Sequence, residues 1–190
     1  MSTFEFVSVL MSIVVGLGIT RLLSSASNLV EHRASIRLDF TTLVWATNIL
    51  LYLVIYWWVV VGNWRGRTNW SFPSFVALFL YGVFLYFCAS LILPERAEPG
   101  LDLTSRFESI RRPFFALWLL VVSAEVTDSF LKGVTYVLTE LGPAWFGIVG
   151  GSALLGITAL RVRDRRFHRI VAILVFVAYA SWTLSMFRSI

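Results

Sequence analysis

The sequence predicts an all-α fold, a polytopic membrane protein built as a six-transmembrane-helix bundle, with residues 1–190 forming a single integral membrane domain. Three observations carry that expectation. The 190 residues are 58% hydrophobic and 14% charged, with a mean hydropathy of +0.79. A soluble domain averages about 45–50% apolar and about 25% charged, and a chain of this size has too little interior to hide the excess. Apolar stretches stand at about 4–28, 40–62, 71–93, 113–138, 144–161 and 168–188, each near the ~20 residues a helix needs to cross ~30 Å of hydrocarbon. None alternates with period two as barrel strands do, so helices must satisfy the backbone.

The first stretch carries a row spaced by fours: Ser8, Ser12, Gly16, Thr20, Ser24 and Asn28. Small residues at that spacing form a ridge that lets another helix approach closely, and their hydroxyls can also line a hydrated path. Packing is the preferred reading, with Gly18 and Gly151 as further contact points. Ser24-Ser25-Ala26 imitates a signal-peptidase site, but the leading MSTFEF has an acid and no Lys or Arg, so the segment is read as a retained helix. EHRASIRLD separates it from the second stretch, and NWRGRTNW separates the second from the third.

The third stretch holds Cys88, the one cysteine, which excludes an intrachain disulfide and a cysteine metal site. The longest break, PERAEPGLDLTSRFESIRRP, is expected to form a short surface helix before the fourth span begins near Pro113. LGP at 141–143 is read as the turn into the fifth span, with Pro143 placed at a helix start. RVRDRRFH joins the fifth to the sixth. Leu17-Gly18-Ile19-Thr20 recurs as Leu155-Gly156-Ile157-Thr158, too short a match to establish a repeat.

The net charge is +5 and the isoelectric point about 9.9. In a membrane chain this reflects topology, and no nucleic acid partner is expected. Arg33, Arg37 and the arginines of 96–112 and 161–169 fall on one side, against Arg65, Arg67 and Arg188 on the other. The positive-inside rule puts both termini on the extracytoplasmic side of what reads as a bacterial inner membrane. Trp57, Trp58, Trp64, Trp70 and Trp145 gather towards the arginine-poor side, as an interfacial aromatic belt would.

The fourth span contains the anomaly. SAEVTDSFLKG at 123–133 sets Glu125, Asp128 and Lys132 in an apolar helix. Measured from Pro113, Glu125 lies about 18 Å in at 1.5 Å per residue, where a charge costs about 2.5–3.5 kcal/mol on the translocon scale. Glu125, Asp128, Lys132, Thr135 and Thr139 follow steps of three and four, so they share one face. That face continues through Val121, Trp118 and Phe114, and reads as a vestibule opening outwards. Lys132 is placed to pair with Asp128. Arg21 is either an anchor at the cytoplasmic headgroups or the partner of Glu125, which if unpaired is a candidate to carry a proton.

The sequence has no Walker loop, HExxH, GxSxG, CxxC or TVGYG, and His32 and His168 sit in no metal-binding spacing. No catalytic role, metal or cofactor is expected. The reading is a small membrane channel or transporter for protons or cations. In it Glu125 and Asp128 bind the ion, Lys132 and Arg21 tune them, and Thr20, Ser24 and Thr135 supply neutral oxygens. The lipid bilayer is the expected partner, together with a homo-oligomer or a larger membrane complex. The rival is a non-catalytic scaffold or anchor subunit whose charges fix helix register. Hydration around Glu125 speaks for the first; a dry, fully paired seam speaks for the second. The first and fourth helices, being the most polar, are expected at the centre.

Overall fold

The computed structural model describes residues 3–67 and 70–187 and is all-helical, with six helices long and apolar enough to cross a membrane. These are α1 Thr3–Glu31, α2 Phe40–Trp64, α3 Phe72–Ile92, α4 Leu103–Leu131, the helical run Val134–Arg161 and α7 Arg165–Phe187. The fifth run comprises α5 Val134–Tyr136, a π-helical turn Val137–Leu141 and α6 Gly142–Arg161. Arg188 lies outside the described residues, as do Thr68 and Asn69 of the NWRGRTNW break.

Local chemistry sets the helix starts. Asp39 caps α2, its carboxylate accepting from the Thr42 amide at 2.8 Å, and Ser71 caps α3 with Pro73 in the first turn. Asp102 caps α4 by accepting from Thr104 N at 2.8 Å. That amide is the main reason its carboxyl is held below the usual carboxylate range. Two loops are also laced together. Arg37 N donates to Leu101 O at 2.8 Å, and Leu103 N donates to Arg37 O at 3.0 Å. This bridge fixes the α1–α2 connection against the start of α4.

The helices follow one another around the bundle as α1, α3, α4, α6, α7, α2, and α2 also leans inwards on α3 and α4. Close approaches occur where a side chain is missing. A Cβ at Gly18 of α1 would meet Leu53 of α2 at 3.1 Å, and one at Gly156 of α6 would meet Leu119 of α4 at 2.9 Å. These two glycines are the ones in the repeated Leu-Gly-Ile-Thr. At Gly151, by contrast, nothing lies within 4 Å.

Three expectations need correction. α4 begins at Leu103, not near 113, so the expected surface helix and the fourth span are one helix with Pro113 inside it. Its first turns are polar enough to lie outside the hydrocarbon, and its cap at Asp102 starts the hydrogen-bond ladder there. The turn into the fifth span is at Lys132-Gly133, not LGP. Gly133 has φ +114, a backbone state that favours glycine, while Gly142 interrupts a run that has already started. Finally, α4 is central but α1 is peripheral, packed on α2 and α3 through Val7, Met11, Val15, Leu22 and Leu29.

Candidate functional site

The charged stretch of α4 lies in its last two turns, with Glu125 about 9 Å from the end at Leu131 on the helix rise. Gly133 ends the helix immediately beyond Lys132, so the predicted face breaks. Glu125, Asp128 and Lys132 remain together, while Thr135 and Thr139 are exposed on the next run.

Asp128 and Lys132 form an ion pair across one helical turn, with side chains 5% and 1% exposed. Trp64 Nε1 donates to the second Asp128 oxygen at 3.0 Å. The Lys132 ammonium also lies 5.5 Å from the Tyr136 ring, a favourable cation–π distance. Arg67, in the turn after α2, donates from Nη2 to Lys132 O at 2.8 Å and stacks on Trp64. Trp64 in turn packs on Trp70, ring centroids 4.8 Å apart. Among the described residues the outer side of the pair is thus covered by Trp64, Arg67 and Trp70.

Glu125 is handled differently. Tyr81 of α3 donates its hydroxyl to Oε2, and Trp145 Nε1 donates to Oε1 at 3.3 Å. Among the described residues no cationic side chain comes within ion-pair distance of it. Glu125 and Asp128 border one cavity of about 20 Å³ together with Tyr52, Tyr56, Tyr81 and Tyr179, enough for a water molecule, which needs about 10–15 Å³ measured in this way. The Tyr52 hydroxyl, buried beside this cavity, makes no hydrogen bond of ordinary length among the described residues, and the Tyr179 ring packs on the Tyr52 ring at 4.4 Å. Tyr56 is anchored, donating to Leu78 O at 2.7 Å.

Towards the arginine-rich end the cavity is stopped by aromatic packing. Trp45 meets Phe114, Phe115 and Trp118 edge-on at 5.1, 5.3 and 5.2 Å, and Trp118 meets Tyr52 at 5.3 Å. All four of these Trp and Phe rings are buried. Among the described residues these rings fill the space between the cavity and the arginine-rich end.

The remaining predicted residues are not at the site. Arg21 reaches Glu95 at 4.0 Å and donates to Ser25 Oγ at 3.1 Å. It therefore does not clamp Glu125. It sits about three turns before the end of α1 at Glu31, on the side where Glu95 lies. Of the α1 row, Ser12, Thr20 and Ser24 are exposed, and nothing lies within 4 Å of a Cβ placed on Gly16. Ser8 and Ser12 bond to carbonyls of their own helix. Asn28 reaches across, its Oδ1 accepting from Ala97 N at 2.6 Å. Ser12, Thr20 and Ser24 thus face out of the bundle, while Asn28 turns towards the loop that follows α3.

Sequence reasoning missed Tyr52, Tyr81, Arg67 and the role of two tryptophans. Trp64 and Trp145 were expected to mark an interface, yet both are buried and donate to the two carboxylates. Their clustering on the same side as Glu125 and Asp128 was the available signal, because a buried indole N–H seeks an acceptor. Comparison with known proteins adds no further assignment: no family model matches the chain, and no curated protein or solved structure matches it.

Proposed function

We propose that this chain is a non-catalytic transporter of the bacterial inner membrane that binds a proton or small cation at Glu125, with both termini on the extracytoplasmic side. The observation that carries the reading is Glu125 itself. It is a carboxyl group that, among the described residues, has two hydrogen-bond donors and no ion-pair partner, on a cavity lined by four tyrosines. A carboxylate placed this way in low dielectric calls for a neutralising proton or cation. Asp128 has that neutralisation already in Lys132, so it acts as a fixed wall of the site and Glu125 as the exchangeable group.

The closed layers on both sides favour a transporter with moving barriers over an open channel. Trp64 and Arg67 cover one side and the Trp45–Phe114–Phe115–Trp118 layer covers the other, and alternating access would part them in turn. The outward row of α1 is the surface on which a second copy of the chain would pack. The test is flux: purified protein in liposomes under an imposed potential should move protons or Na⁺ or K⁺, and Glu125→Gln should abolish this while the protein stays folded.

A second reading is favoured by the Asp128–Lys132 pair and the aromatic layer. Both suit an anchor subunit whose charges fix register in a larger membrane complex. Flux indistinguishable from that of empty liposomes for every ion tried would replace the first reading with this one.

A further inference from the structure

At the opposite, arginine-rich end, the first turns of α2 and α7 and the early turns of α4 enclose a cleft of about 350 Å³, the size of a small-ligand pocket. Its cationic lining is Arg111, Arg163, Arg165 and Arg169, against Asp39 and Glu108. Both acids are engaged: Asp39 caps Thr42 at 2.8 Å, and Glu108 pairs with Arg165 at 2.8 Å. Arg111 is 5% exposed and uses one nitrogen, Nη1, on Ala159 O and Val162 O, which fixes it across the end of α6. His168 lines the same cleft at 3% exposure. Its Nε2 donates to Val162 O at 2.9 Å, and its Nδ1 makes no hydrogen bond among the described residues. The cleft therefore offers a net positive rim.

A second hollow adjoins it. Phe40, which walls the cleft, also begins a groove of about 290 Å³ along the outer faces of α2 and α7, lined by Leu43, Val44, Thr47 and Phe176. The groove is apolar in effect, since the Thr47 hydroxyl is spent on Leu43 O at 3.0 Å. Arg169 stands over the Phe40 ring at 5.7 Å, where the two hollows meet. A charged cleft at the helix ends that continues into an apolar groove on the lipid-facing surface has the shape of one kind of ligand. We propose that it binds an anionic phospholipid, with the phosphate between Arg163 and Arg169 and an acyl chain along α2 and α7. Basic pockets between helices at this level recognise such headgroups through charge, and the groove adds contact that a free anion would not use.

Native mass spectrometry of the purified full chain tests this, with phosphatidylglycerol and phosphatidylcholine of identical acyl chains offered in turn. The chain should retain phosphatidylglycerol in preference. Arg163→Gln with Arg169→Gln should weaken that retention about thirtyfold, the general scale for two arginines facing anionic lipid. Arg161→Gln with Arg166→Gln removes the same charge outside the cleft and should leave retention intact. Thr47→Trp fills the groove without touching the arginines and should also weaken retention, while excess inorganic phosphate should not displace the lipid. Equal retention of the two lipids, or equal loss in both arginine pairs, would overturn the proposal. So would displacement by phosphate with Thr47→Trp having no effect, which would mean a site for a free anion.

Discussion

Asp128 and Lys132 show how an ion pair survives in an apolar helix. They sit one turn apart, are almost fully buried, and have Trp64 and the Tyr136 ring to satisfy what remains. Removing one partner of a buried pair leaves an uncompensated charge and costs about 3–5 kcal/mol. Lys132→Met should therefore lower stability in detergent by that order. Adding Asp128→Asn should restore much of the loss, as denaturant unfolding of the two variants would show. Arg21 behaves in the opposite way. Its pairing with Glu95 is loose at 4.0 Å and the Glu95 side chain is 80% exposed. Exposed pairs contribute about 0–1 kcal/mol, so Arg21→Gln should leave the same unfolding curve nearly unmoved and leave behaviour at Glu125 unchanged.

Among the elements, α4 and the run that follows it are set by two glycines. At Gly156, α6 lies so close to α4 that a Cβ would meet Leu119 at 2.9 Å and Trp118 at 3.3 Å. Overpacking of that kind costs about 1–3 kcal/mol. Gly156→Val should thus lower the melting temperature of the detergent-solubilised monomer, whereas Gly16→Val, on a face of α1 with no neighbour in the same chain, should not. At Gly133 the space is free but the backbone is not. With φ +114 and nothing within 4 Å, Gly133→Ala tests conformation alone and should cost about 1–3 kcal/mol. A loss confined to Gly156→Val would mean that the turn tolerates other conformations.

At the scale of the whole molecule, hydropathy made the number of long apolar helices legible, because lipid demands apolar stretches of fixed length. It did not reveal where α4 starts, since Leu103–Arg112 continues the same hydrogen-bond ladder in polar surroundings and changes only its solvent. Periodicity showed that Glu125, Asp128 and Lys132 share a face, and the structure keeps them together. The same argument could not orient the α1 row, whose steps of four drift around a helix of about 3.6 residues per turn. In lipid, apolar residues such as Met11 and Val15 pack against neighbours as well as small ones do, with no hydrophobic penalty deciding the direction. Tyr81 and Tyr52 were invisible in sequence because nothing in a run of apolar residues tells which tyrosine will face a carboxylate on another helix.

The central claim is that Glu125 is the exchangeable carboxyl group and Asp128 the fixed one. Infrared difference spectroscopy of the purified protein, recorded across changes of pH and of Na⁺ or K⁺, reads this directly from the carboxyl C=O bands. A band that responds to proton or cation, disappears in Glu125→Gln and persists in Asp128→Asn is the result the account predicts. A responsive band that Glu125→Gln leaves in place, or no responsive carboxyl band at all, would contradict it.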